Sequence, residues 1–310
     1  MSPSRPLVLA ALLAAGLAGG GCSLFPSHEE VWTPIPTRLG TRAVSGADTA
    51  WVLTQPGAGY EVITRSRERL PDVKPDLDLA ARAFRRYFGT APKTVALVLA
   101  DSLTELERTD TLSAHERGAP IVRLVVPKEL RRRRAYQSAP IGGLAAARVA
   151  RAWIRAQAGD SVRLPRWVLE GATGLVAEPA LQEFSIEALR RRSKLVQPLP
   201  AFFAAGPAGV DSVTTAPVPV DLRKLKRQQR DSLLAYRAQA VAVAQFLADR
   251  SGPLVVGRLV EAFRTTRDPA AALAAAGVTP AQPDSLDTVW RAWLQQRDRQ
   301  LGIRPEGVGR

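Results

Sequence analysis

Residues 141–171 read IGGLAAARVARAWIRAQAGDSVRLPRWVLEG, and this stretch is the most informative part of the chain. Its first part, residues 141–157, is rich in Ala and Arg and has no proline, which favours a helix. A short turn follows, and the apolar spacing over residues 166–178 predicts a second helix. The sequence therefore predicts two consecutive helices, with the string LPRWVLEG at residues 164–171 at their junction.

The chain on the carboxyl side of this stretch has the same helical character. Ala-rich and Arg-rich segments without interior proline continue at residues 221–250, 253–265 and 283–301. Only residues 197–220 differ, because QPLPAFFAAGPAGVDSVTTAPVPV is rich in Pro and Gly and indicates a loop that could serve as a mobile flap. We therefore predict a mainly helical lobe over residues 136–301 and a tail at 302–310.

The chain on the amino side is different. TAWVLTQ and YEVITRS are short β-type runs around QPGAG, which predicts a hairpin. Residues 75–89 have helical spacing and end at a glycine, and KTVALVLAD (93–101) and APIVRLVVP (119–127) are typical of buried strands. The predicted fold class is α+β: a small α/β lobe at residues 49–135, with a short sheet and one long helix, precedes the helical lobe.

Composition excludes several classes of function. With 46% hydrophobic and 23% charged residues in 310, the chain has the balance of a globular protein. One cysteine excludes an internal disulfide and a Cys-based zinc site, and His28 and His115 are the only histidines. The net charge of +14 comes from basic residues scattered through helical segments. This scattered distribution is more typical of a generally Arg-rich composition than of a nucleic-acid-binding surface.

Residues 1–21 have a basic residue, an apolar run LVLAALLAAGLA and small residues before Cys22. This resembles a bacterial lipoprotein signal peptide, except that Gly19 stands where such signals usually have Leu. The resemblance implies a lipid on Cys22 and, from Ser23, an outer-membrane location facing the periplasm. Residues 22–48 contain Pro, Ser, Gly and Thr without a sustained period, which predicts a tether. An ordinary cleaved signal and an uncleaved anchor are the alternatives.

The order helix, turn, Pro-x-Trp-x-x-Glu-Gly, helix resembles the active-site region of the gluzincin metallopeptidases called peptidase MA-like. Residues 236–263 and 271–297 resemble the back half of that family, so the resemblance covers about residues 50–297. It implies that the first helix should carry His-Glu-x-x-His, which binds zinc, and that Glu170 stands where the third zinc ligand belongs.

The sequence departs from that family at the zinc motif. The five motif positions hold Arg148, Val149, Ala150, Arg151 and Ala152, none of which binds zinc. No histidine follows His115, so a shifted alignment does not restore the site. We therefore expect no metal, no cofactor and no catalytic residues of the gluzincin type.

Glu170 has two interpretations. Arg148, Arg151 and Arg155 form a stripe along the first helix, so a guanidinium could replace the zinc charge in a cleft salt bridge, with Arg148 or Arg151 as the candidate partner. Alternatively, Glu170 is a surface residue near a helix start. We expect Trp153 and Trp167 to lie in the core.

These features predict a membrane-tethered envelope lipoprotein whose metallopeptidase-like domain is inactive. Such a domain would bind or scaffold another envelope protein. Two alternatives remain: a hydrolase with a non-zinc site in the same cleft, in which Glu170 is the base, and an arginine-driven anion-binding protein.

Overall fold

The described part of the chain has five strands, which form one sheet in its amino-terminal half. The computed structural model describes residues 38–45, 48–55, 57–113, 119–126, 141–159, 161–181, 185–204, 216–218 and 222–300. The strands are β1 (Arg38–Ser45), β2 (Asp48–Gln55), β3 (Tyr60–Thr64), β4 (Val95–Ala100) and β5 (Ile121–Val125). They lie in the order β1-β2-β3-β4-β5, with two antiparallel pairings followed by two parallel ones.

Helices connect the parallel strands and cover both faces of the sheet. Helix α1 (Leu70–Phe88) links β3 to β4, and α2 (Leu103–Ser113) links β4 to β5. Side chains alternate between the faces of a strand. Leu97 of β4 accordingly packs in the main core with α1, whereas Val98 packs in a smaller cluster with Leu106 of α2.

The remaining described elements are helical. They are α3 (Ile141–Ala158), α4 (Arg166–Leu181), α5 (Ser185–Arg190), α6 (Leu199–Ala204), α7 (Arg227–Ser251), α8 (Val255–Ala262), α9 (Pro269–Ala275) and α10 (Pro283–Gln300). The protein is therefore of the α+β class, as predicted. None of the helices in the described ranges is long and apolar enough to cross a membrane.

The predicted hairpin is confirmed, with Trp51 opposite Thr64 and Gln55 opposite Tyr60. Strand β1 and helices α2, α5, α6 and α9 were not predicted as separate elements. Strand β1 lies in the expected tether at residues 22–48, which is wrong for residues 38–45. Its sequence, RLGTRAVS, lacks apolar alternation, and backbone pairing with β2 places it in the sheet. Helix α2, LTELERTDTLS, is mostly polar and gives only a weak helical pattern.

Part of the predicted loop at 197–220 is helix α6, so the flap interpretation is wrong for residues 199–204. Phe202 and Phe203 of this helix are buried. Phe203 stacks on Trp167 with ring centroids 4.3 Å apart, and Phe202 lies 4.9 Å from Tyr236. These aromatic contacts hold the segment against the core. The Pro and Gly content, from which a loop was predicted, gives no information about such contacts.

The main apolar core is continuous between the sheet and the helices. It includes Tyr60 and Leu97 from the strands, Phe84 from α1, and Trp153 and Trp167 from α3 and α4. All described residues belong to one compact unit, Ile35–Arg310. The helices that carry the candidate site, α3, α4 and α7, therefore share one core with the sheet.

Candidate functional site

Close packing of α4 on α7 positions the candidate site. A Cβ atom at Gly171 would lie 2.6 Å from the backbone oxygen of Ala240, and one at Gly174 would lie 2.0 Å from Val241. Only glycine permits this separation, because any side chain would collide with the opposite helix. The preceding residue, Glu170, is thereby held between α7 and α3.

Arg151 and Glu170 form a buried ion pair at this junction. Nη1 of Arg151 donates a hydrogen bond to Oε1 of Glu170. The two residues are only 4% and 3% exposed. Burial removes water that would otherwise solvate each charge, so both charges need compensation from within the protein.

A second arginine reaches the same carboxylate from α7. Nε of Arg237 lies 3.5 Å from Oε2 of Glu170, and its side chain is 28% exposed. Both oxygens of Glu170 therefore face guanidinium groups. Sequence reasoning missed Arg237, although one signal was present: it is the only charged residue between Leu233 and Leu247.

Arg148 does not join this ion pair, although it precedes Arg151 by one helical turn. Its Nη1 donates to the backbone oxygen of Arg123 at 2.8 Å and to that of Pro217 at 3.4 Å. Burial lowers the pKa of Arg148 to about 10. Arg155, the third member of the stripe, is exposed. The structure thus brings Glu170 together with Arg151 and directs Arg148 to the edge of the sheet.

The other degenerate motif positions face the core. Val149 and Ala150 are fully buried, and Ala152 packs partly buried against the main core. None of these three side chains has an atom that could bind a metal ion. Within the described ranges, no group of three His, Cys, Asp or Glu side chains is placed to hold one.

Trp153 and Trp167 lie in the core, as predicted, and each is 1% exposed. Nε1 of Trp153 donates to the backbone oxygen of Gly59 at 2.6 Å, which ties α3 to the hairpin turn. Trp167 packs edge-to-face on Phe263, with ring centroids 6.1 Å apart. These two residues fix the helices on which Arg151 and Glu170 stand.

Three residues singled out in the sequence, Cys22, His28 and His115, lie outside the described residues. Comparison with known proteins adds no relative: no family model, curated protein or solved structure matches the chain. The function must therefore be argued from the chain's own residues.

Proposed function

We propose that this chain is a lipoprotein of the cell envelope, tethered to the membrane through Cys22, whose gluzincin-like helices lack peptidase chemistry. In this proposal the helical part is a binding or scaffolding module for another envelope protein. The observation that supports it is the buried ion pair between Arg151 and Glu170. The family resemblance would make Glu170 a zinc ligand, and in this chain Glu170 pairs with Arg151 instead.

The ion pair disfavours a divalent metal in two ways. A guanidinium beside Glu170 repels a second cation, and the interaction is strong where water is excluded. A catalytic zinc site also needs three protein ligands and an open position for water. Arg148 and Ala152 stand at the two histidine positions of the resembled motif and supply no ligand.

The same contacts weigh against Glu170 as a general base in a metal-free hydrolase. A base must come within about 2.6–3.2 Å of the proton that it removes, or reach it through one water. Oε1 of Glu170 accepts from Arg151, and Oε2 faces Arg237. Glu170 is also only 3% exposed, so a substrate has little access to either oxygen, and we favour binding without hydrolysis.

The membrane part of the proposal rests on the sequence around Cys22. The apolar run before it, the single cysteine and Ser23 after it together favour a lipid-anchored protein on the periplasmic side of the outer membrane. The lipid is the proposed contact with the membrane, and the folded residues from β1 onward would face the partner.

The test uses the full chain purified in detergent. We expect far less than one equivalent of zinc by elemental analysis after incubation with zinc and dialysis, and a melting temperature unchanged by chelator. A mixture of peptides incubated with the protein should remain uncleaved, as measured by mass spectrometry. Near one equivalent of tightly bound zinc, or peptide cleavage that disappears in Glu170→Gln, would overturn the proposal.

A further inference from the structure

Arg148 is a partly buried cation held in a fixed position. Its Nη1 donates to the backbone oxygens of Arg123, in the edge strand β5, and of Pro217. Pro217 itself is fixed, because its oxygen also accepts from the backbone N–H of Val125 at 3.0 Å. Two anchored carbonyl groups therefore hold the guanidinium of Arg148 in place.

No carboxylate in the described part of the chain forms an ion pair with Arg148. Its two hydrogen-bond acceptors are neutral carbonyl groups, which satisfy a donor without balancing the charge. No nearby carboxylate within the described residues offsets the effect of burial, which disfavours the charged guanidinium and so lowers the pKa of Arg148. At neutral pH the group still carries its full positive charge.

The neighbouring charges add to this excess. Arg151 lies one turn along the same helix face, and Arg237 approaches from α7. Glu170 is the acidic group that these two arginines share. Arg148 thus shares a helix face with a second arginine, and two like charges on one face favour an anionic ligand.

The two anchoring hydrogen bonds use Nη1 only. They leave the edge formed by Nε and Nη2, whose two parallel N–H groups match the two oxygens of a carboxylate. A tetrahedral phosphate would benefit from further donors outside the guanidinium plane. The backbone groups of Arg123 and Pro217 that meet Arg148 are carbonyl oxygens, which would repel a phosphate's remaining oxygens.

We propose that the Nε–Nη2 edge of Arg148 binds a carboxylate group of a ligand. The ligand then supplies the counter-charge that the described chain does not. The carboxylate belongs either to the end of a peptide or to a small free acid. This assignment rests on the proposed binding role and gives that role a ligand chemistry.

The test is calorimetric titration of the full chain in detergent with N-acetyl-dialanine and with its amide, which lacks the carboxylate charge. The free acid should bind at least about tenfold more tightly than the amide, since charge-assisted hydrogen bonds are the stronger kind. Sodium acetate distinguishes the two sources: binding of acetate as tight as that of the peptide acid assigns a small free acid.

Arg148→Gln should weaken binding of the acid by about tenfold or more, because the paired donors and the charge are both removed. Arg155→Gln is the matched control: it removes the same charge from an exposed position of the same helix and should leave binding unchanged. If Arg148→Gln does not fold, Arg148→Lys keeps the charge, lacks the two-donor edge, and should also weaken binding.

Equal binding of acid and amide, no binding of either, or an equal loss in Arg155→Gln would overturn the site. Inorganic phosphate bound as tightly as the acid, and lost in Arg148→Gln, would overturn the assignment to a carboxylate. Mass spectrometry of the titrated peptide separates this proposal from the previous one. A bound peptide that is cleaved supports the site and contradicts an inactive module, whereas an intact, unbound peptide contradicts only the site.

Discussion

Arg151 and Glu170 meet across the interface of α3 and α4, and each is almost completely shielded from water. A buried ion pair of this kind need not stabilise a fold relative to apolar residues, because desolvation of both charges offsets their attraction. Removing one partner has a larger effect, since it leaves the other charge buried and uncompensated. That asymmetry makes the pair testable.

Glu170→Gln should lower the free energy of unfolding by about 2–4 kcal/mol, because the buried guanidinium of Arg151 would lose the carboxylate to which its Nη1 donates. Urea denaturation at neutral pH measures this change. Glu187→Gln is the matched control: Glu187 pairs with Arg191 at the surface, with side chains 45% and 71% exposed. An exposed pair contributes only about 0–1 kcal/mol.

The double variant Glu170→Gln with Arg151→Met should recover part of the loss, since no buried charge then remains without a partner. Arg148→Met combined with Glu170→Gln should instead give additive changes, because Arg148 bonds to backbone oxygens and not to Glu170. A Glu170→Gln loss below about 0.5 kcal/mol would contradict the uncompensated-charge argument.

The sequence could narrow the partner of Glu170 to Arg148 or Arg151, but it could not choose between them. Residues three apart share a helix face, so periodicity treats both arginines alike. The choice depends on what each faces: Arg148 meets the backbone of β5, whereas Arg151 meets α4. Such contacts are tertiary and leave no local pattern.

The difference between local sequence pattern and tertiary contact also explains which elements were predicted. Strand β4 is apolar on both faces, β3 is a short β-type run, and α3 is rich in good helix formers, so local pattern and structure agree. Strand β1 has no such pattern and is defined by its pairing with β2. Arg237 was also missed, because its role depends on how closely α7 approaches α4.

Gly171→Ala should lower the free energy of unfolding by about 1–3 kcal/mol, because the new methyl group would meet the backbone oxygen of Ala240. The backbone of Ala240 cannot rotate away from this methyl group as a side chain could, so α4 and α7 must move apart. Gly174→Ala meets the side chain of Val241 instead. Adding Val241→Ala should therefore relieve the Gly174→Ala clash.

Denaturation of these variants checks the helix contact, since the same Val241→Ala change should not rescue Gly171→Ala. Full stability of Gly171→Ala, or equal rescue of both glycine variants, would mean that close contact at Ala240 does not fix the separation of α4 and α7. The position of Arg237 beside Glu170 would then need another explanation.

Cys22→Ser should abolish labelling of the chain by a fatty-acid analogue in cells, because the thiol is the proposed attachment point of the lipid. It should also leave the precursor uncleaved and longer on a gel. Ser23→Ala is the control, since it changes the next residue without removing the thiol, and it should keep the label. Unchanged labelling of Cys22→Ser would show that the lipoprotein interpretation is wrong.

Tyr60 makes stability depend on pH in the alkaline range. The residue is fully buried, and its hydroxyl donates to Oδ1 of Asp78 at 2.6 Å. Burial, with the adjacent Asp78 carboxylate, raises the pKa of Tyr60 well above its ordinary value. In the unfolded chain Tyr60 titrates near pH 10, so above about pH 10 the folded state binds more protons at this group than the unfolded state.

The stabilising contribution of Tyr60 is therefore fully present below about pH 10 and is lost as the pH rises further, by up to about 1.4 kcal/mol per pH unit. Arg148 acts in the opposite direction, because its pKa is lower in the folded state, about 10, than in the unfolded chain. Arg148 is the same in both chains compared, so the difference between wild type and Tyr60→Phe isolates the tyrosine.

At pH 8, Tyr60→Phe should be less stable than wild type by about 1–2 kcal/mol, since the hydrogen bond to Asp78 is lost while Lys74 still pairs with that carboxylate. Urea denaturation between about pH 9 and pH 11 should show this difference shrinking once the pH passes the ordinary tyrosine pKa. A difference that stays constant across the range would mean that Tyr60 titrates alike in the folded and unfolded chains, and that its burial has no effect on its ionisation.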